Sequence, residues 1–522
     1  MASPSDRVPT ARSRNGCITC KTRRVKCDET RPTCRRCENA GRTCDGYGDG
    51  LDSGSPGGAS SNSLRVVQHV PGISKPTRMW KTPQSPDLIS DDEYRSLEFF
   101  HQNTTQAFTA DIGVLLLRVA YHQPILRSIA VALGSLHRSF VLHGRGPLAN
   151  STDAQFMLLH YNRAIRELVS IQPETAQRDE TFLIACIFFF CFECLRGEYK
   201  NAVRHATSGL KILKQQQALP RGDSILPPEA ITLPFCILET QVLELKGEEA
   251  LDVELHPAML SSFTHPSISP LSPSSDANEM LKAFQLFCNR FTRFEAACGV
   301  LSQNRNNRAF EFQRQVQQIE EGYLRIRGDL ENWLHIFEVW LDSCQNREDP
   351  TVMIMKVWRL LMRVFLELHW PPPEHSWDKY VPVFAAINSL AADILQGPPR
   401  PLQHSNTRPT MFTFSLSLGI VTPLFICATR CRLSSIRHRA INLLLHSRRR
   451  EGLWDAELAG RIAERIVSLE ESAAGMRPGS EYSPGDIDVS ARFGSLSPYF
   501  TERKQAEIGY SRMQVSCGDP TE

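Results

Sequence analysis

Six cysteines in the first 44 residues have the spacing of metal ligands. Cys17, Cys20, Cys27, Cys34, Cys37 and Cys44 follow C-x2-C-x6-C-x6-C-x2-C-x6-C, so a C-x2-C-x6-C unit occurs twice, as CITCKTRRVKC and CRRCENAGRTC. Thiolate sulfur suits Zn2+, which takes four ligands in tetrahedral geometry in structural sites. Two separate sites would need eight cysteines. With six, two ions are both four-coordinate only if two thiolates bridge. A segment of about 30 residues buries too little apolar surface to fold alone, so bound metal must supply most of its folding free energy. A disulfide framework is the competing use of such cysteines. It needs an oxidising compartment, and the opening MASPSDRVPTARSRN lacks the apolar run of a secretory signal.

Between Cys20 and Cys27 the chain reads Lys21-Thr22-Arg23-Arg24-Val25-Lys26, which predicts four positive charges on about two turns of helix. Residues 1–44 carry 11 Lys/Arg and 4 Asp/Glu, a net charge of +7 against +2 for the whole chain, which leaves the remainder at −5. Positive charge gathered on one small unit is the footprint of a nucleic-acid site. Phosphate contacts give affinity and register, and base edges give sequence. Arg reads guanine through a fork to O6 and N7.

The doubled cysteine unit, the basic run and Pro32 of the central loop resemble the binuclear zinc cluster (Zn2Cys6) of fungal transcription regulators. The resemblance implies two Zn2+ ions held by all six cysteines. Cys17 and Cys34 would bridge, Cys20 and Cys27 would complete one shell, and Cys37 and Cys44 the other. It also implies two short helices, each opened by a C-x2-C pair and related by a pseudo-twofold. In such regulators a basic pair of the first helix reads a CGG-like triplet in the major groove. Arg23 and Arg24 align with that pair, with Arg24 the first choice for the base contact. Lys21, Lys26, Arg35 and Arg36 are expected at phosphates.

The function so implied is a nuclear, sequence-specific regulator of RNA polymerase II transcription, with double-stranded DNA and the transcription machinery as partners. Regulators of this build often control catabolic or secondary-metabolite genes. The rival is a zinc-dependent protein-interaction scaffold without base readout. An enzyme is not expected, because no phosphate-binding glycine loop, nucleophile elbow or His-Glu-x-x-His pair occurs.

The rest of the chain must present this module. Residues 1–16 read as a basic disordered arm, 17–44 as the cluster and 45–87 as a flexible Gly/Ser/Pro linker. Many relatives have a coiled coil just past the cluster, and no heptad stripe occurs here, so any homodimer must form elsewhere. Phe312, Val316, Ile319, Tyr323, Ile326, Leu330, Trp333, Phe337 and Trp340 have 4-3 spacing. Leu324, Leu334 and Ile336 widen that face, which favours a bundle helix over a coiled coil.

Residues 88–474 are expected to form a large all-α domain of packed helical hairpins. Ser90-Asp91-Asp92-Glu93 is a capping box. Phe182 to Leu195 predicts a buried helix ending near Gly197, paired with one carrying Tyr199, Ala202, Val203, Ala206, Leu210 and Leu213. Ile436 to Leu445, and Leu458, Ile462, Ile466 and Leu469, predict the last helices. The stretches ETFLIACIFFFCFECLRGEYKNAVRHATSGLKIL and GIVTPLFICATRCRLSSIRHRAINLLLHSRRREGLWDAELAGRIAERIVSLEES resemble the fungal-specific regulatory domain of such regulators. That resemblance implies a regulatory role and reception of small-molecule or protein signals, without naming an inducer.

Cys186, Cys191, Cys194 and Cys427 read as small buried hydrophobes. The longest apolar runs, 182–192 and 418–428, are shorter than the roughly 20 residues a bilayer needs, so no membrane partner is expected. Residues 410–429 read as a buried helix, and Arg448–Arg450 as the cap of a helix C-terminus. The loop at 265–275 offers Ser269-Pro270 and Ser272-Pro273 as candidate phosphorylation sites, and Arg-Gly-Asp at 221–223 reads as coincidence. Residues 475–522 read as a polar, disordered tail.

Overall fold

Cys27 must return to Cys17, and this limits how long the first helix can run. Ten residues of unbroken α-helix would separate the two by about 15 Å, yet the Cys17 amide donates to Cys27 Sγ at 3.3 Å. The chain therefore leaves the helix early. Helix α1 is Ile18–Thr22. It is followed by a widened turn in which the Arg23 amide reaches Thr19 O and the Val25 amide reaches Cys20 O, both at 3.1 Å. The expected two basic turns are not formed: Lys21 lies in α1, Arg23 on the turn after it and Lys26 in chain without regular structure. Helix α2 (Arg35–Glu38) is equally short, and Cys34 is its N-cap.

This computed structural model describes residues 17–23, 25–44 and 90–512, apart from 145, 148–149, 172–175, 218–225, 247–270, 273, 304–308, 345, 369–372, 397–411, 478 and 503–504. The expected arm and linker, Arg24, the Arg-Gly-Asp and Ser269-Pro270 lie outside the described residues. The chain divides into two units, Met1–Pro86 and Asp87–Glu522.

The second unit is helical. Its helices are α3 (Asp91–Phe99), α4 (Ala110–His122), α5 (Pro124–His143), α6 (Thr152–Val169), α7 (Ala176–Arg196), α8 (Tyr199–Gln217), α9 (Pro228–Lys246), α10 (Ala277–Gln303), α11 (Ala309–Ser343), α12 (Pro350–Glu367), α13 (Val381–Gln396), α14 (Val421–Arg430), α15 (Ser434–His446) and α16 (Ala456–Ala473). Neighbours in sequence pack as hairpins, among them α5 with α6, α7 with α8 and α15 with α16. The capping box opens α3: the Ser90 amide donates to Glu93 Oε2 at 2.8 Å and the Glu93 amide to Ser90 Oγ at 3.3 Å. Helix α7 is buried on every side from Leu183 to Leu195, and it ends at Gly197 with φ 83°. Cys186, Cys191, Cys194 and Cys427 are all buried.

On α11, Leu330, Trp333, Phe337 and Trp340 are buried in the core, and the Trp333 ring lies 4.3 Å from that of Phe284 on α10. This part of the 4-3 stripe is a bundle face. The side chains of Phe312, Val316 and Ile319 lie outside the described residues. By length and composition α5 could cross a bilayer, but Leu126, Ile129, Leu133, Leu136 and Phe140 face the core.

Three further sequence expectations are corrected. Residues 410–429 are not one helix: β1 (Thr413–Ser415) precedes α14, and Pro423 sits in the first turn of α14. Strand β1 runs parallel to β2 (Arg449–Glu451), which pairs antiparallel with β3 (Trp454–Asp455). The Arg448–Arg450 run therefore does not end the helix before it. Arg448 turns the chain at φ 52°, and Arg450 sits buried in β2. Its Nη1 donates to Cys194 O at 2.9 Å and Leu195 O at 3.0 Å, satisfying carbonyls at the end of distant α7. Finally, the described part of the tail is folded. Strands β4 (Phe493–Glu502) and β5 (Gln505–Arg512) form an antiparallel hairpin, with Phe493 and Phe500 buried.

Buried ion pairs anchor that tail. Glu470 accepts from Arg432 Nη2 at 2.8 Å, Arg437 Nη2 at 2.7 Å and the Phe493 amide at 3.0 Å. Arg430 Nη1 donates to Glu374 at 2.7 Å and to Gly494 O at 2.8 Å. Arg492 binds Asp378 at 2.9 Å and the carbonyl of Pro484 at 2.7 Å.

Candidate metal centre and nucleic-acid interface

The cysteine sulfurs form two groups of four. One is Cys17, Cys20, Cys27 and Cys34, and the other is Cys17, Cys34, Cys37 and Cys44. Within each, the sulfurs lie within 4.8 Å of one another, and Cys17 and Cys34 belong to both. Cys17 Sγ is 3.5 Å from Cys34 Sγ and 3.8 Å from Cys37 Sγ, and Cys20 Sγ is 3.6 Å from Cys34 Sγ. A tetrahedron with Zn–S bonds of about 2.3 Å has edges of about 3.8 Å. The donor set therefore fits two zinc ions that share two thiolates. No disulfide joins any of these cysteines.

Five of the six cysteines are less than 5 % exposed. Burial pushes the Cys17 thiol up to about 12 and raises Cys20 and Cys34 as well. Thiols crowded in this way need a cation to be held as thiolates, which the two Zn2+ ions supply. Backbone amides support the sulfurs. Cys20 N donates to Cys17 Sγ and Cys37 N to Cys34 Sγ, each at 3.3 Å. The same contact occurs once in each half, on the two shared sulfurs, at the N-terminus of each short helix. Thr19 Oγ1 donates to Thr43 O at 3.3 Å and ties the first half to the end of the second.

Asp28 is a residue the sequence did not reveal. Its carboxylate accepts from the Arg35 amide at 3.0 Å and the Arg36 amide at 3.2 Å, and from the Thr30 hydroxyl. These bonds, led by Thr30, hold its carboxyl down at about 2. It thus fixes the start of α2, and with it the two arginines. The only local signal is an Asp-x-Thr turn, and nothing in a separation of seven residues announces a cap.

Of the expected DNA contacts, Arg23, Lys26, Arg35 and Arg36 are exposed around the cluster. Lys21 lies in α1, with its side chain outside the described residues. Pro32 is exposed in the loop between the halves, after a cis Arg31–Pro32 bond.

Comparison with known proteins agrees with this geometry. Residues 15–52 match the fungal Zn(2)-Cys(6) binuclear cluster domain. The aspercryptin biosynthesis cluster-specific transcription regulator atnN of Emericella nidulans is 32% identical over 97% of this chain and 95% of its own length. The transcription regulator lscL of Purpureocillium lilacinum is 25% identical over 43% of this chain and 55% of its own. White-opaque regulator 2 of Candida albicans is 51% identical over 8% of this chain and 10% of its own. No solved structure matches. The similarity to atnN runs through both the cluster and the helical unit, and on it the chain belongs to the fungal Zn2Cys6 transcription regulators, a family that binds two zinc ions.

Proposed function

We propose that this protein is a nuclear, non-enzymatic regulator of RNA polymerase II transcription that reads a CGG-like triplet and controls a biosynthetic gene cluster. The pair of sulfur tetrads sharing Cys17 and Cys34 carries the reading, because it fixes two helix starts and their basic residues in one small unit. All six cysteines ligate zinc, with Cys17 and Cys34 bridging. Arg23 and Arg24 contact bases, while Lys21, Lys26, Arg35 and Arg36 contact phosphates. The cluster spans 17–44, with residues 1–16 as an arm, 45–87 as a linker and 88–474, continued by the folded hairpin to 512, as the regulatory domain. Similarity to a relative named for a biosynthesis cluster supports the gene class.

Selection of bound sequences from random DNA by the full-length, zinc-loaded protein tests this. A CGG-like triplet is the expected result. One triplet alone means a monomeric reader, and two at fixed spacing mean a homodimer. No enrichment, with two zinc ions verified, overturns the reading in favour of an interaction scaffold.

A further inference from the structure

A groove in the helical unit lies between α5 and the first turn of α6. It has about 290 Å3 of room for water-sized groups, where a single water needs about 10–15 Å3. That is close to the lower end of small-molecule sites, about 300 Å3. The lining is Ser135, Arg138, Ser139, Leu142 and His143 of α5 and Asp153 of α6. The five from α5 recur at i, i+3, i+4, i+7 and i+8, so they share one face of that helix. Because α5 and α6 pack as a hairpin, this face and Asp153 are held on one scaffold.

The charges of the lining are unused. Arg138 is half-buried and Asp153 exposed. Among the described residues neither makes an ion pair or a side-chain hydrogen bond, with the other or with a neighbour. Asp153 is not the cap of α6, since that role falls to Ser151, whose Oγ accepts from the Ala154 amide at 3.1 Å. Ser135 is 5 % exposed, the most enclosed residue of the lining, and its hydroxyl has no hydrogen-bond partner among the described residues. Side-chain polar groups this enclosed are ordinarily paired. Leu142 adds an apolar wall, half-exposed at the same groove.

We propose that this groove binds a small apolar α-amino acid as its zwitterion: the carboxylate accepts from Arg138 and from the Ser135 hydroxyl, the ammonium donates to Asp153, and the side chain lies against Leu142. Two opposite charges that face one groove without pairing are the feature that selects this chemistry. An anion lacking the amine would bring its charge beside Asp153 unpaired, and an amine lacking the carboxylate would do the same beside Arg138. Water hydrates each charge separately and covers none of Leu142 with apolar surface. A zwitterion carries both counter-charges on one molecule, and the guanidinium fork matches a carboxylate in particular. With one unpaired Arg and one unpaired Asp, the groove has no partner left for a charged side chain on the ligand.

The test is equilibrium dialysis of radiolabelled L-leucine against the full-length, zinc-loaded protein. Two competitors each lack one charge: 4-methylpentanoate has no ammonium, and 3-methylbutylammonium has no carboxylate. Leucine is expected to saturate one site per chain, and each competitor to displace it about tenfold or more less effectively than unlabelled leucine. Asp153→Asn should remove the advantage of leucine over 4-methylpentanoate, and Arg138→Gln its advantage over 3-methylbutylammonium, with folding checked by circular dichroism. Absence of saturable leucine binding overturns the proposal and means that the groove holds only water. Displacement by either competitor as effective as by leucine overturns the zwitterion, and this comparison needs no variant. Unchanged leucine affinity in both variants places any binding elsewhere and overturns the site. DNA binding is not part of the readout, so this site and the DNA reading fail separately.

Discussion

Cys17 and Cys34 differ from the other four cysteines because each belongs to both sulfur tetrads. Removing a shared sulfur leaves two incomplete shells, and removing a terminal one leaves a single incomplete shell. Cys17→Ser should therefore lose both zinc ions, while Cys44→Ser should keep one, as counted by native mass spectrometry. Equal losses in the two variants would contradict the bridging assignment. The ligands were legible in the sequence because tetrahedral thiolate sites need fixed short spacings. Which thiolates bridge came from the family resemblance, and the tetrads agree with it. Asp28 was not legible. Its two bonds to the start of α2 span seven and eight residues, and they depend on the path of a loop rather than on helical spacing.

The helices were legible because their apolar positions repeat at helical period, as in α8, or run unbroken for several turns, as in α7, and because caps such as Ser90 and Glu93 are local. The short strands were not, since two or three residues carry no period: β2 is Arg449–Glu451 and β3 only Trp454–Asp455. The tail was misread for a different reason. Its order rests on polar side chains whose partners lie far along the chain, and a polar composition says nothing about partners. Glu470 tests this account. Glu470→Ala would bury Arg432 and Arg437 beside an empty place and should cost about 3–5 kcal/mol in chemical denaturation, with loss of the tail's hydrogen-exchange protection. A loss below about 1 kcal/mol would contradict it. Burial alone would raise the Glu470 carboxyl, but Arg432 and Arg437 hold it below the ordinary value. Its contribution is thus present above the unfolded value of about 4.3 and is lost as pH falls below that. Glu244 has the opposite sign, because burial pushes it up to about 7. Its folded-state preference for the proton stabilises below about 4.3 and fades as pH rises through 7. Glu244→Gln should therefore flatten the decline in stability between those values, measured by denaturation across pH. An unchanged slope would mean that Glu244 is ionised without penalty.

Over the whole molecule, charge is divided unevenly: +7 in residues 1–44 and −5 in the remainder. A polyanion is attracted by the first part alone, so the DNA affinity should behave as that of a small cationic module. With about five phosphate contacts, counterion release predicts a log–log salt slope of about −4 to −5 for one cluster on one site. Two clusters bound together would roughly double it, to about −8 to −10. The buried Trp333, Phe337 and Trp340 occupy one end of the long 4-3 stripe at 312–340, so that end is already used inside the unit. This favours the shallower slope. Within it, Lys26→Ala should reduce the slope by about 1 and weaken all sequences alike. Arg24→Ala should instead cost about 1–3 kcal/mol on the cognate triplet and little on random DNA. Competition binding at several salt concentrations separates the two effects. An equal loss on cognate and random DNA would move Arg24 from the base edge to the phosphates. A flat salt response would remove DNA as the partner, because no cationic module of this charge binds a duplex without releasing counterions.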